Sequence, residues 1–211
     1  MTSEGVVGAM GQGYLFDMHV HTTASADSTL PSRMALLRAR ELGLRGIAVT
    51  DHDCLTVMEC AQPDLVLIPG AELSTEWGDL LALGISKLPD NALAVPRIID
   101  DIHAQGGVAV IPHPFTGLPN SMNDRVEEII DMVDGLETAS PRKTADNRRA
   151  RRLARSHRKS EIGGSDAHAL EEMGRSLTAC ASPDAEGLLD AIRSGKTRAA
   201  GRKAEWQKGT S

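Results

Sequence analysis

At 211 residues, with 41% hydrophobic and 25% charged residues, the chain has the make-up of one soluble globular domain and is too short for two full ones. No apolar run approaches the roughly 18–20 residues that cross a bilayer, and no basic segment followed by an apolar one opens the chain, which argues against a membrane partner and a secretory leader. The net charge of −6 argues against a general nucleic-acid binder, although nine Lys or Arg and a single acid, Asp146, fall between Arg142 and Lys159.

Residues 1–13 are Gly-rich and unpatterned and read as a tail, as do the polar residues 201–211, which leaves a single domain over 14–200. Tyr14–Met18 reads as a strand. Pro31 and Ser32 open a helix that runs through Leu42 and stops at Gly43. Gly46–Thr50, Leu65–Ile68 and Leu80–Ile85 are further strands. A helix over Ala94–Gln105 halts at Gly106 and Gly107, and the strand Val108–Ile111 follows. Then come a helix over Arg125–Met132, a strand over Gly135–Glu137, a helix over Thr144–His157, a strand over Glu161–Gly163 and a last helix near Asp184–Arg193. This alternation predicts an α/β fold, a parallel sheet with crossover helices, closed as a barrel or doubly wound.

The three cysteines, Cys54, Cys60 and Cys180, form no C-x-x-C pair and are odd in number. They read as free thiols in a reducing compartment, hence a cytoplasmic protein. Nothing in the sequence sets an oligomeric state.

The informative feature is where His, Asp and Glu fall. Asp17-Met18-His19-Val20-His21 ends the first strand and Thr50-Asp51-His52-Asp53 the second. Gly70-Ala71-Glu72 follows the third, Ile111-Pro112-His113-Pro114 another, and Gly164-Ser165-Asp166-Ala167-His168 a late one. Strand C-termini converge on one face of a barrel or open α/β sheet, so these segments are expected to meet. Alternate strand residues point the same way, so His19 and His21 present two imidazoles together, and Asp166 and His168 share that spacing. Imidazole with carboxylate suits Zn²⁺, Mn²⁺ or Fe²⁺, and a carboxylate such as Glu72 can bridge two ions. Taken singly, each segment also fits a structural role, with Asp51 as a helix cap and His113 as a turn residue. Their recurrence at five strand ends points to a metal cluster.

Together the segments Asp17–Thr22, Thr50–Asp53, Pro69–Thr75, Gly106–Phe115 and Gly163–His168 resemble the PHP (polymerase and histidinol phosphatase) family, over a span from about Phe16 to Cys180. The resemblance implies a distorted (β/α)7 TIM-like barrel holding two or three divalent metal ions at its strand C-termini. It implies one ion on His19, His21, Glu72 and Asp166, a second sharing Glu72 and adding His113, and a third on Asp27, His52 and His168. Asp79 stands where relatives carry a His, and is taken as a ligand of the second ion. The segment Leu136–Ser140 carries no Asn, where relatives often have one near the position of Ser140. Asp51, His52, Glu72, Asp166 and His168 form the implied catalytic group for metal-assisted hydrolysis by water.

The basic run reads either as a solvated helix face or as a substrate contact, in which Arg142 and Lys143, with Asn147 or Arg148, reach the rim and engage a substrate phosphate, with Arg175 as a further candidate clamp. His103 and His157 read as helix-surface histidines, and Trp77 either lines the pocket mouth or packs in the core. The expected substrate is a small phosphate monoester, a nucleotide or phosphorylated metabolite. The alternatives are a phosphodiesterase or exonuclease on short oligonucleotides and a non-catalytic metal-binding module. The short interval from His113 to Gly164 leaves little room for a lid domain.

Overall fold

The computed structural model describes residues 13–58, 64–142 and 145–201. The expected tails therefore fall outside the described residues except for Gly13 and Gly201, as do Cys60 and Lys143. Among the described residues nine strands form, β1 (Tyr14–Val20), β2 (Gly46–Val49), β3 (Val66–Thr75), β4 (Gly78–Leu83), β5 (Val108–Ile111), β6 (Gly135–Ala139), β7 (Ser160–Gly163), β8 (Ser176–Cys180) and β9 (Arg198–Gly201). Five helices accompany them, α1 (Ser32–Glu41), α2 (Val95–Ala104), α3 (Val126–Ile129), α4 (Asn147–Ser156) and α5 (Ala185–Arg193). None is long and apolar enough to cross a membrane.

The strands make one sheet in the order β7-β6-β5-β4-β3-β2-β1-β8-β9. Its ends approach each other where Thr178 of β8 grips Gly163 of β7. The Thr178 hydroxyl donates to the Gly163 carbonyl and accepts its N–H, both at 2.9 Å. Only glycine allows this approach, because a Cβ on Gly163 would lie 2.2 Å from the Leu177 carbonyl oxygen. The sheet thus curls into a nearly closed, distorted TIM-like barrel.

The sheet is not parallel throughout, as the alternation had suggested. β1–β2–β3 and β5–β6–β7 are parallel, whereas β4 lies antiparallel between β3 and β5 and β8 antiparallel to β1. The reason is local. Only Glu76 and Trp77 separate β3 from β4, and a two-residue connection can make a hairpin but not a crossover. Gly78, at φ +119°, takes a backbone conformation closed to other residues.

Burial explains the remaining elements. β4 and β5 are buried along their whole length, so they read as continuous apolar runs and not as alternating ones. Helix α2 buries Val95, Ile98, Ile99 and Ile102, one stripe at helical spacing. Helix α4 turns only Ala150 and Ala154 inward, and its N-cap Asp146 accepts the Arg149 N–H at 2.9 Å.

Candidate metal centre

The C-terminal half of β1 is buried on both faces, and His19 and His21, two residues apart, turn their rings to the same side. Their Nε2 atoms lie 3.0 Å apart. Glu72 of β3 brings Oε2 to 3.2 and 3.1 Å from them, and Asp166, after β7, brings Oδ1 to 3.4 Å from each. On the other side of Glu72, Oε1 is 3.2 Å from His113 Nε2, which is 3.9 Å from Asp79 Oδ2. Asp27 Oδ2 lies 3.4 Å from His52 Nε2 and 3.2 Å from His168 Nε2, and His52 Nδ1 is 3.2 Å from Glu72 Oε2. The nine expected ligands are gathered in one place, as three adjoining donor groups.

Two oxygens show what the cluster fits. Glu72 Oε2 and Asp166 Oδ1 are buried without a hydrogen-bond partner, a costly state for carboxylate. Both belong to the group formed with His19 and His21, whose donor atoms all lie within 4.8 Å of one another. A divalent cation there satisfies both. Glu72, Asp79 and His113 form a second such group, and His21, His52 and His168 a third.

The electrostatics agree. Burial works against a charged His19, yet Glu72, Asp166 and Glu137 outweigh it and hold the imidazole well above its usual pKa. Burial also opposes ionisation of Glu72, but His19, His113 and His21 keep it well below the carboxylate range. Asp166 is lowered against burial by His19 and His21, with Arg142 assisting. Asp79 is pushed up to about 6, first by burial and then by Glu72. The site holds more acid than its own cations neutralise.

A supporting set of contacts fixes the ligands. Glu137 Oε1 lies 2.8 Å from His19 Nδ1, and its Oε2 accepts the His113 N–H at 2.8 Å. The Ser25 hydroxyl donates to Asp51 Oδ1, which leaves its oxygen to accept from His21 Nδ1, 3.1 Å away, and from the His52 N–H. In their neutral form His19 and His21 therefore carry the proton on Nδ1 and leave the Nε2 lone pair for a cation. Two ligand residues sit in the left-handed region, His113 at φ +29° and Asp166 at φ +50°, conformations that cost energy and gather at functional sites.

Asp51 requires a correction. It does not face the cluster but accepts the N–H and hydroxyl of Thr22 and the hydroxyls of Ser25 and Thr56. These contacts tie it to the β1–α1 loop, apart from the three donor groups. Glu137, conversely, was read only as a strand residue. The signal was one that most of the other segments carry, an acid near the C-terminal end of a barrel strand.

The residues expected at the rim divide. Arg142 Nε lies 2.5 Å from Asp166 Oδ2. Arg142 and Arg175 line an open cleft of roughly 560 Å³ with Asp27, His52, Asp166 and His168. Asn147 does not reach into the cleft, because its side chain binds both backbone groups of Ser140 at 2.9 Å. Arg148 is exposed on α4 and is absent from the cleft lining. His103 and His157 pair with Asp134 and Asp131, Trp77 packs against the core beneath Arg125, and Cys54 and Cys180 are free thiols.

A family model described as PHP-associated matches residues 144–197. An uncharacterized protein of Methanocaldococcus jannaschii is 26% identical over 136 residues, 57% of this chain and 78% of the relative. The 5'-3' exoribonuclease Rnm of Salmonella typhimurium is 39% identical over 70 residues, which are 30% of this chain and only 24% of that enzyme. Among solved structures, a two-domain protein of Bacteroides vulgatus containing a predicted PHP-like metal-dependent phosphoesterase superposes with a TM-score of 0.71 at 18% identity, over 90% of this chain and 65% of that one. PsfC from Pseudomonas syringae gives 0.70 at 19% identity, over 92% and 93%.

A barrel carrying imidazoles and carboxylates at its strand C-termini is the architecture of a metal-binding barrel protein. The PHP-associated model over residues 144–197 and the PHP-like fold of these neighbours make the chain similar to PHP-family proteins.

Proposed function

We propose that the protein hydrolyses a small phosphate monoester, a nucleotide or phosphorylated metabolite, with two or three divalent cations of the Mn, Zn or Fe type. The observation that carries this reading is Glu72, whose two oxygens face two different donor groups beside a cleft rimmed by Arg142 and Arg175. Cations held by His19, His21, Glu72 and Asp166, by Glu72, Asp79 and His113, and by Asp27, His52 and His168 would neutralise phosphoryl oxygens and acidify water.

The remaining work belongs to the side chains. Arg142 holds Asp166 in place and adds positive charge beside it. Arg175, anchored on Glu172 at 3.2 Å, adds charge at the outer rim. A terminal phosphate, with three free oxygens and up to two negative charges, meets more of this wall than an internal diester can. Among the described residues no lid covers the cleft, which suits a permissive pocket.

A second reading, cleavage of short oligonucleotides from one end, is favoured by the likeness to exoribonuclease Rnm. Mn²⁺-loaded protein offered a chromogenic monoester, a diester and a 5'-phosphorylated oligonucleotide separates the two. Monoester turnover that chelation abolishes and Mn²⁺ restores supports the first reading. Turnover of the oligonucleotide alone replaces it with the second, and no turnover by metal-loaded protein contradicts both.

A further inference from the structure

Away from the metal centre, α4 carries a run of cations that the chemistry above does not use. Arg149 pairs with Asp124 and Glu127, and Arg151 and Arg155 pair with Glu161. Arg148, Arg152, Arg158, Lys196 and Arg198 are exposed and, among the described residues, have no carboxylate in ion-pair range. Arg152 follows Arg148 by one helical turn, about 6 Å along the axis, and Arg155 continues the same stripe. Like charges four residues apart destabilise a helix, and no apolar or aromatic side chain interrupts the exposed stripe.

The stripe has a direction. Helix α4 begins beside Ser140, which Asn147 holds next to Arg142 of the catalytic cleft. It ends at the N-terminal end of β7, whereas Asp166 and His168 follow the C-terminal end of that strand. There a second cleft of roughly 400 Å³ opens, lined by Arg155, Arg158, Lys159, Lys196 and Arg198, with Glu161 as its carboxylate. Helix and cleft therefore form a basic path from the metal face towards the opposite end of the barrel.

We propose that this path is an exosite for a single-stranded oligonucleotide, held by its phosphates without reading its bases. The choice of a phosphate chain rests on the phosphoesterase reading of the metal centre; the binding itself needs no turnover. A line of cations of which only Arg155 is paired with a carboxylate suits a line of phosphates, and contact through phosphates alone is independent of sequence.

The test uses the metal-loaded full chain and a fluorescein-labelled, phosphorothioate-linked single strand of about twelve nucleotides, followed by fluorescence anisotropy as salt is raised. With about four phosphates neutralised, the log–log slope is near −3, and affinity falls roughly 50-fold between about 50 and 200 mM salt. Arg152→Glu and, separately, Lys196→Glu with Arg198→Glu each weaken binding about tenfold or more and flatten the slope. Both leave hydrolysis of a small monoester unchanged, which separates failure of the exosite from failure of the metal-centre reading. Binding unaffected by both variants, or insensitive to salt, overturns the proposal. So does inorganic polyphosphate competing as well as the oligonucleotide at equal phosphate, which would assign the path to bare phosphate chains.

Discussion

Glu137 and His19 are 118 positions apart, yet Glu137 Oε1 lies 2.8 Å from His19 Nδ1, both fully buried. The same carboxylate takes the backbone N–H of His113, so one acid orients residues of two donor groups. Carboxylates in this position raise the basicity of the imidazole and fix its ring. Glu137→Gln keeps the shape and removes the charge. Metal affinity is expected to fall about 10–100-fold, read by competition with a chromogenic chelator, with secondary structure retained. Unchanged affinity would reduce Glu137 to a packing residue.

Asp51 separates position from chemistry. Burial pushes its carboxyl up, but donors on Thr56, Thr22 and Ser25 outweigh that and hold it below the usual range. A carboxyl depressed in the folded state contributes stability that is present above its unfolded value near 3.9 and is lost as pH falls through the folded value. Asp51→Asn is expected to cost about 3 kcal/mol, or roughly 6–12 °C in Tm for a chain of this size, with metal content preserved. Full stability with abolished turnover would return Asp51 to the catalytic group.

Gly164 leaves no room for a side chain. A Cβ there would stand 2.3 Å from His19 Cβ and 2.8 Å from Glu137 Oε1. Gly164→Ala is therefore expected to cost about 1–3 kcal/mol and to weaken metal binding by displacing the His19–Glu137 pair. Thermal melts with and without Mn²⁺ check both effects. A variant as stable and as tightly metallated as the parent would contradict the packing described.

Metal uptake is expected to release protons. In the metal-free protein His19 is held above its usual value near 6.5 by Glu72, Asp166 and Glu137, against the effect of burial. Its raised value makes protonation stabilising below that pH, a contribution lost as pH rises through the folded value. A cation must displace that proton. Apparent affinity should thus climb by about tenfold per pH unit for each proton released, continuing above pH 6.5. Titration calorimetry in buffers of different ionisation enthalpy counts the protons; affinity independent of pH would contradict the arrangement.

Most of the donor residues were legible because they are polar residues at or just past the ends of apolar strands, Asp27 and Asp79 excepted, and His19 and His21 declare their common face by spacing alone. Strand β5 was legible for the same reason, its four residues all buried. What the sequence hid depends on partners distant in the chain. Glu72 was expected after a strand ending at Ile68, but β3 continues to Thr75 because its ladder with β4 runs from Gly70 to Thr75. Strand β8 went unread: its pairing with β1 and the close approach of Leu177 to Gly163 define it more than its own composition. Asp51 is read as part of the catalytic group and Glu137 only as a strand residue, although both are acids at strand ends; their neighbours, hydroxyls for one and imidazole for the other, tell them apart.

Metal content per chain, measured on parent and Glu72→Ala protein after loading with Mn²⁺ and desalting, addresses the shared carboxylate directly. The parent should retain two or three ions. Glu72→Ala should lose those of the two groups that Glu72 joins, keep at most the one held by Asp27, His52 and His168, and hydrolyse no monoester. A folded parent that retains no divalent metal, or a Glu72→Ala protein with undiminished metal and turnover, would contradict a cluster organised around Glu72.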